Sequence, residues 1–140
     1  MSIVQGDLPD AHVLDLFAGS GALGLEALSR GAAAATFVEL SGRGIVALRQ
    51  NVQALDAAAR VTIHKGDAIR FVARLEAGAY DVAFADPPYR QGLAEELAAR
   101  WLESPFATVL GIEHEKSVHL PECEDRRAYG DTVVSFYRTS

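Results

Sequence analysis

The chain has 140 residues and a formal net charge of −6, with 13 lysines and arginines against 19 aspartates and glutamates. This length makes one domain that can bury about two-thirds of its surface without staples, and the acidic balance argues against strong unaided binding to nucleic acid, which favours a basic face. The single cysteine, Cys123, excludes an internal disulfide and a cysteine-rich metal site, and no apolar run approaches the ~18 residues of a membrane span.

No apolar stretch follows a basic segment at the N-terminus, so no signal peptide is expected. The chain is expected to be a cytoplasmic monomer without a membrane partner. Val13 to Phe17 reads as a short buried strand. A glycine-rich turn, Ala18 to Gly21, leads into a helix carried by Leu23, Leu25, Ala27 and Leu28 and closed near Gly31. Thr36 to Val38 is a second strand. Ser41 is placed to cap a helix whose apolar positions Ile45, Leu48, Val52 and Leu55 follow a three-four-three spacing. Val61 to Ile63 is a third strand, and Ile69, Val72 and Leu75 mark a short helix. Tyr80 to Ala85 is a buried strand, followed by a helix through Leu93, Leu97 and Trp101. Thr108 to Ile112 is a fifth strand. Residues 114–125 carry no helical period. Arg126 to Tyr129 and Thr132 to Arg138 read as two strands joined at Gly130-Asp131, a hairpin signal. Strand–helix alternation predicts an α/β fold in three layers, Rossmann-like, with a mostly parallel seven-stranded sheet closed by an antiparallel C-terminal hairpin.

The four histidines do not suggest a metal site. His12 precedes a strand, His64 ends one, and His114 and His119 lie in a connecting stretch without cysteine or carboxylate at ligand spacing. The chemistry gathers at strand ends instead. After the first strand, Gly19-Ser20-Gly21-Ala22-Leu23-Gly24 matches G-x-G-x-x-G between a strand and a helix. Glycine lets the backbone approach a ligand closely, and the helix N-terminus offers free N–H groups. That match fits a dinucleotide and an adenosyl cofactor equally, or a tight turn with no ligand. Glu39 ends the second strand, where a carboxylate can accept from both ribose hydroxyls. Asp67 follows the third and can accept from an adenine amine, cap the next helix, or do both. After the fourth strand comes Asp86-Pro87-Pro88-Tyr89. Neither proline can donate to a ladder, so pairing stops there. One carboxylate and one ring are left at the strand's C-terminal end, where open parallel sheets bind ligands. The motif is either a surface turn or a holder for a planar, amino-bearing group such as a nucleobase. Acids at successive strand ends favour the holder.

These residues resemble the class I S-adenosylmethionine-dependent methyltransferases, and within them the RsmD-type 16S ribosomal RNA guanine-N2 methyltransferases. The similarity runs from Val13 almost to the C-terminus. It includes Val13 to Ala32, Phe37-Val38-Glu39, Gly66-Asp67-Ala68, Asp86 to Tyr89, Glu113-His114, Tyr129 to Thr132 and Ser135 to Arg138. The resemblance implies S-adenosylmethionine as cofactor, small-subunit ribosomal RNA, free or in an assembling subunit, as partner, and no metal. It implies that Asp15, Phe17, Ala18, Gly19, Ser20 and Gly21 contact the methionine part and ribose. Glu39 would hold the ribose hydroxyls and Asp67 the adenine amine, with Leu40 and Ala68 flanking the adenine. Asp86, the carbonyl of Pro87 and Tyr89 would hold a flipped-out guanine, with Arg90 adjacent to meet a phosphate. The family also implies a basic segment before the first strand. Only Met1 to His12 precede the expected first strand in this chain, which is expected to lack that segment. Alternatives are a methyltransferase for another nucleobase amine, a protein or a small molecule, a cofactor-binding domain without activity, and a nicotinamide-dependent oxidoreductase.

Overall fold

A computed structural model describes residues 2–89 and 92–139. The strands are β1 (His12–Leu16), β2 (Ala34–Glu39), β3 (Val61–Lys65), β4 (Tyr80–Ala85), β5 (Ala107–Glu115), β6 (Asp125–Tyr129) and β7 (Thr132–Arg138). The helices are α1 (Ala22–Ser29), α2 (Gly42–Ala54), α3 (Ala68–Ala73) and α4 (Leu93–Glu103). The strands form one sheet in the order β3-β2-β1-β4-β5-β7-β6. The first five are parallel, and β7 runs antiparallel between β5 and β6. This is the expected α/β class, with the expected closing hairpin.

The order has a physical cause. The chain moves outward from β1 to β3, then returns to the other side of β1 for β4. Right-handed crossovers put the helices of these two excursions on opposite faces. Leu25 and Leu28 of α1 and Leu48 and Val52 of α2 pack with Val13, Phe37 and Val82 on one face. Val72 of α3 and Leu97 and Trp101 of α4 pack with Leu14, Leu16, Leu110 and Tyr137 on the other. Period-two alternation along β1 supplies both faces, with Val13 on one and Leu14 and Leu16 on the other.

The helix starts follow their capping residues. The Ser41 hydroxyl accepts from the Gly44 N–H at 3.0 Å, and the Asp67 carboxylate accepts from the Arg70 N–H at 2.9 Å. The structure shifts the first strand by one residue, to His12–Leu16, which leaves Phe17 in the turn, and it lengthens others: the second spans Ala34–Glu39, the third Val61–Lys65 and the fifth Ala107–Glu115. His114 is therefore a buried strand residue rather than part of a connection. Its Nδ1 lies 2.9 Å from the Glu115 carbonyl and its Nε2 2.8 Å from the Ser135 hydroxyl. Burial lowers its pKa below the usual histidine value. The neutral ring donates from Nδ1 to the carbonyl and accepts at Nε2 from Ser135. Two short 3-10 turns, Ser2–Asp7 and Ala58–Arg60, have no apolar period to reveal them in sequence. The first is tied to β7 by a two-pronged ion pair, Arg138 to Asp7 at 2.9 and 3.0 Å.

The fully buried Phe37 ring sits under α1. A Cβ at Gly24 would overlap that ring, and one at Gly21 would overlap Leu48. Gly24→Ala gains about 1 kcal/mol of helix propensity but must displace a ring that has nowhere to go. Overpacking of this kind costs about 1–3 kcal/mol. The variant is expected to melt several degrees below the wild type in a thermal scan.

Candidate active site

The C-terminal ends of the central strands set the site. Leu16 lies opposite both Val38 and Ala85, and Ala85 lies opposite Ile112. One residue further along, Glu39, Phe17, Asp86 and Glu113 therefore stand in a single row across β2, β1, β4 and β5.

The loop after β1 is fastened at several points. Phe17 turns the chain with φ of 57°, in the left-handed region. Such a conformation costs a bulky residue about 1–3 kcal/mol and marks a position held by its surroundings. The Ala18 N–H donates to the Val38 carbonyl at 3.0 Å, and the Gly21 N–H to the Ala18 carbonyl at 2.8 Å. Asn51 of α2 donates its side-chain amide to the Ser20 carbonyl at 2.9 Å. The Gly19 N–H donates to Glu39 Oε1 at 2.8 Å, and the Ser41 N–H to Glu39 Oε2 at 2.9 Å. Glu39 thus links the loop to the end of β2. A carboxylate has about four lone-pair positions, so two remain for a ligand.

Asp15 lies beneath this loop. It is 2% exposed, and its Oδ2 accepts from the Gly24 N–H at 2.9 Å. Burial pushes its carboxyl up to about 7, while the Gly24 bond pulls it down and the charges of Asp86 and Glu39 push it further up. Asp15 is an internal clamp on α1 and is not among the described residues lining the two cavities beside it.

Two cavities open beside the row. The first, about 520 Å³, is lined by Phe17, Glu39, Leu40, Asp67, Ala68 and Asp86, with Pro88 and Leu93 closing one side. The second, about 470 Å³, is lined by Pro87, Pro88, Tyr89, Glu95, Glu113 and His114, with Glu115, Ser117, Val118 and His119 completing the wall. Both volumes fall within the range of about 300–1,000 Å³ usual for small-molecule sites. Pro88 lines both, so the two cavities meet at the Asp86-Pro87-Pro88 turn. Leu40, 64% exposed, and Tyr89, 63% exposed, are the most open large apolar side chains among the described residues, and each flanks one cavity. The Tyr89 hydroxyl lies 3.4 Å from the Thr132 hydroxyl at the β6–β7 turn.

Six expected site residues (Phe17, Glu39, Leu40, Asp67, Ala68 and Asp86) therefore share the first cavity, and Pro87 and Tyr89 line the second. Ala18, Gly19, Ser20 and Gly21 form the adjoining loop rather than the wall. Arg90 lies outside the described residues. Sequence reading assigned no separate role to Pro88, Leu93 or Glu113. The signal for Glu113 was an acid that ends the apolar run Val109 to Ile112. The Asp86 and Glu113 carboxyls are close enough to share a proton. Burial raises the pKa of each. For Glu113 the neighbouring Asp86 charge and the shared proton both raise it further, while that sharing lowers the pKa of Asp86.

A family model described as "Conserved hypothetical protein 95" matches residues 1–138. Ribosomal RNA small subunit methyltransferase D of Buchnera aphidicola (from Acyrthosiphon pisum) is 30% identical over 120 residues, covering 82% of this chain and 62% of the relative. The protein of the same name from Escherichia coli is 48% identical over 88 residues, covering 62% of this chain and 43% of the relative. The chain belongs to the RsmD family. It spans about half the length of these two curated relatives. Among solved structures, yhhF of Escherichia coli is 31% identical with a TM-score of 0.84, covering 98% of this chain and 80% of that one. An RNA methyltransferase of Salinibacter ruber in complex with S-adenosyl-L-homocysteine has a TM-score of 0.74 at 13% identity, over 98% of this chain and 87% of that one. That likeness shows the Rossmann-like fold of this RsmD-family chain. None of its helices, among the described residues, is long and apolar enough to cross a membrane.

The Asp15 clamp has a pH signature. Its carboxyl titrates near 3.8 when unfolded and at about 7 when folded. Between those values the folded state holds more protons than the unfolded state, so this group makes stability fall as pH rises. Asp15→Asn keeps an oxygen to accept from Gly24 but does not titrate. The stability of the variant relative to the wild type is expected to rise steadily from about pH 4 to 7 in melts taken at matched ionic strength. A pH-independent difference would refute the assigned titration.

Proposed function

We propose that the chain binds S-adenosylmethionine in the first cavity and transfers its methyl group to the exocyclic N2 amine of a guanine in small-subunit ribosomal RNA, held in the second. The observation that carries this reading is the meeting of the two cavities at Pro88, two residues after Asp86. The donor set of the first cavity fits the cofactor. Glu39 keeps lone pairs for a ribose diol after accepting from Gly19 and Ser41. Asp67 caps α3 through Oδ2, which leaves Oδ1 for an adenine amine. Leu40 and Ala68 supply apolar contact for the adenine faces. Membership of the family, and relatives named for ribosomal RNA methylation, support the substrate class.

Bound there, the cofactor supplies a methyl group on a positively charged sulfur, which leaves as a neutral thioether once a nitrogen lone pair takes the methyl. The residues of this chain prepare the nitrogen. The guanine amine is a weak nucleophile because its lone pair is delocalised into the ring. Hydrogen bonds from it to Asp86 and the Pro87 carbonyl favour a pyramidal nitrogen with its lone pair turned toward the first cavity. Asp86, whose pKa burial raises, is suited to accept the proton that the methylated amine loses. Tyr89 stacks on the base, a contact worth about 1–3 kcal/mol elsewhere. Alignment of the two reactants can contribute ~7–11 kcal/mol. The base must leave its own stack to enter.

Calorimetric titration with S-adenosylmethionine or S-adenosylhomocysteine is expected to show saturable heat at one site per chain. A folded sample showing neither heat nor a thermal shift would sink the reading. With unmodified small-subunit particles or their RNA as acceptor, Asp86→Ala is expected to lower labelled methyl transfer by about 10²-fold or more while cofactor affinity stays within a few-fold. Tyr89→Ala is expected to lose about 5- to 150-fold, the range of one base stack. Tyr89→Phe keeps the ring and is expected to stay within a few-fold of wild type. Label appearing in another base, or equal activity of Asp86→Ala, would overturn the roles assigned to these residues.

A further inference from the structure

Glu113 stands beside Asp86 because of strand register: Ala85 pairs with Ile112, and the next residue on each strand is an acid. The strand beyond is held firmly, since Glu113 lies opposite Val134 and His114 is bonded to Ser135 and the Glu115 carbonyl. Glu113 lines the second cavity, whereas Asp86 lines the first, so the pair forms the wall between them. No lysine or arginine is among the described lining residues of either cavity. Tyr89, Glu95, Glu115, His114 and His119 are the other titratable groups among the described residues lining the second cavity. Two adjacent carboxyls with no lysine or arginine among the described lining residues call for a ligand edge that presents two neighbouring hydrogen donors.

We propose that Glu113 selects the base: it accepts the N1–H of guanine while Asp86 accepts from the neighbouring exocyclic amine. This rests on the methyl-transfer reading and adds the recognition of the base edge. Guanine presents N1–H and the 2-amino group side by side, both donors. A base with an unprotonated N1 next to its amine sets a lone pair against Glu113 instead. A matched pair of hydrogen bonds to a base edge discriminates by about 5- to 150-fold, the equivalent of about 1–3 kcal/mol. Glutamine at this position could accept from N1–H or donate to a bare N1, so it would blur the choice without removing the contact.

The test uses the whole chain saturated with S-adenosylhomocysteine and titrated separately with guanosine and with 2,6-diaminopurine riboside. The latter keeps the 2-amino group but has an unprotonated N1. Binding is followed by the ring resonances of Tyr89. The wild type is expected to prefer guanosine by about fivefold or more, and Glu113→Gln to bring the two nucleosides within about threefold, the discriminating bond having been lost. A wild type that binds both equally, a variant that keeps the full guanosine preference, or no response to either nucleoside overturns the assignment. Failure to bind S-adenosylhomocysteine in the preliminary titration counts against the methyl-transfer reading instead, so the two failures are distinguishable.

Discussion

In-register parallel pairing of β1 with β2 on one side and β4 on the other is the constraint on which this molecule depends. The chain reverses its direction of travel across the sheet at β1. The connections leaving β1 and β4 therefore part company and leave a crevice above the strand ends. Because the three strands end level, residues far apart in sequence arrive in one row. Glu39 and Asp86 flank Phe17 in that row, and the antiparallel return of β7 pins β5 so that Glu113 joins them. A register slip of one residue would send each of these side chains to the opposite face.

The tight turn after β1 follows from the same pairing. Phe37 lies opposite Asp15 and fills the space under α1, so the helix must approach through Gly21 and Gly24. This close approach buries Asp15 against the Gly24 N–H and raises its pKa. The acid is thus held where a charge is costly, and its affinity for a proton records how tightly the loop is seated. The left-handed turn at Phe17 and the bond from Gly19 to Glu39 complete the seating.

Much of this was legible in the sequence because it depends on local chemistry. The alternation of apolar periods marked the layers, Ser41 and Asp67 marked two helix starts, and the two prolines after Asp86 marked a strand end. Glu39, Asp67 and Asp86 could be placed at strand ends without knowing which strands were neighbours. What was not legible depended on neighbours. The burial of Asp15 requires Phe37 and α1 to be packed above it. The left-handed Phe17 contradicts its own local preference and exists only because the loop is held from both sides. His114 looked like a connector because β5 outruns its apolar core, and its last residues are recruited by pairing with β7 rather than by hydrophobicity. Glu113 gained a partner only once β4 and β5 were set in register.

The electrostatic character of the site bears on how an RNA would be held. Glu39, Asp67, Asp86 and Glu113 line the two cavities, and no described lining residue is a lysine or arginine. Such walls suit a positively charged sulfur, a sugar diol and the amine edges of bases, all of which bring cations or hydrogen donors. They repel phosphates. Phosphate contacts supply much of nucleic-acid affinity, so under the proposed function this pocket discriminates among bases but contributes little to grip. A chain with a net charge of −6 would have to gain its hold on the RNA backbone away from the cavities, or act on a target that a folded particle presents to it. Recognition of the base and attraction of the polymer are thus separated in space, and the acidity that disfavours the second is what makes the first selective.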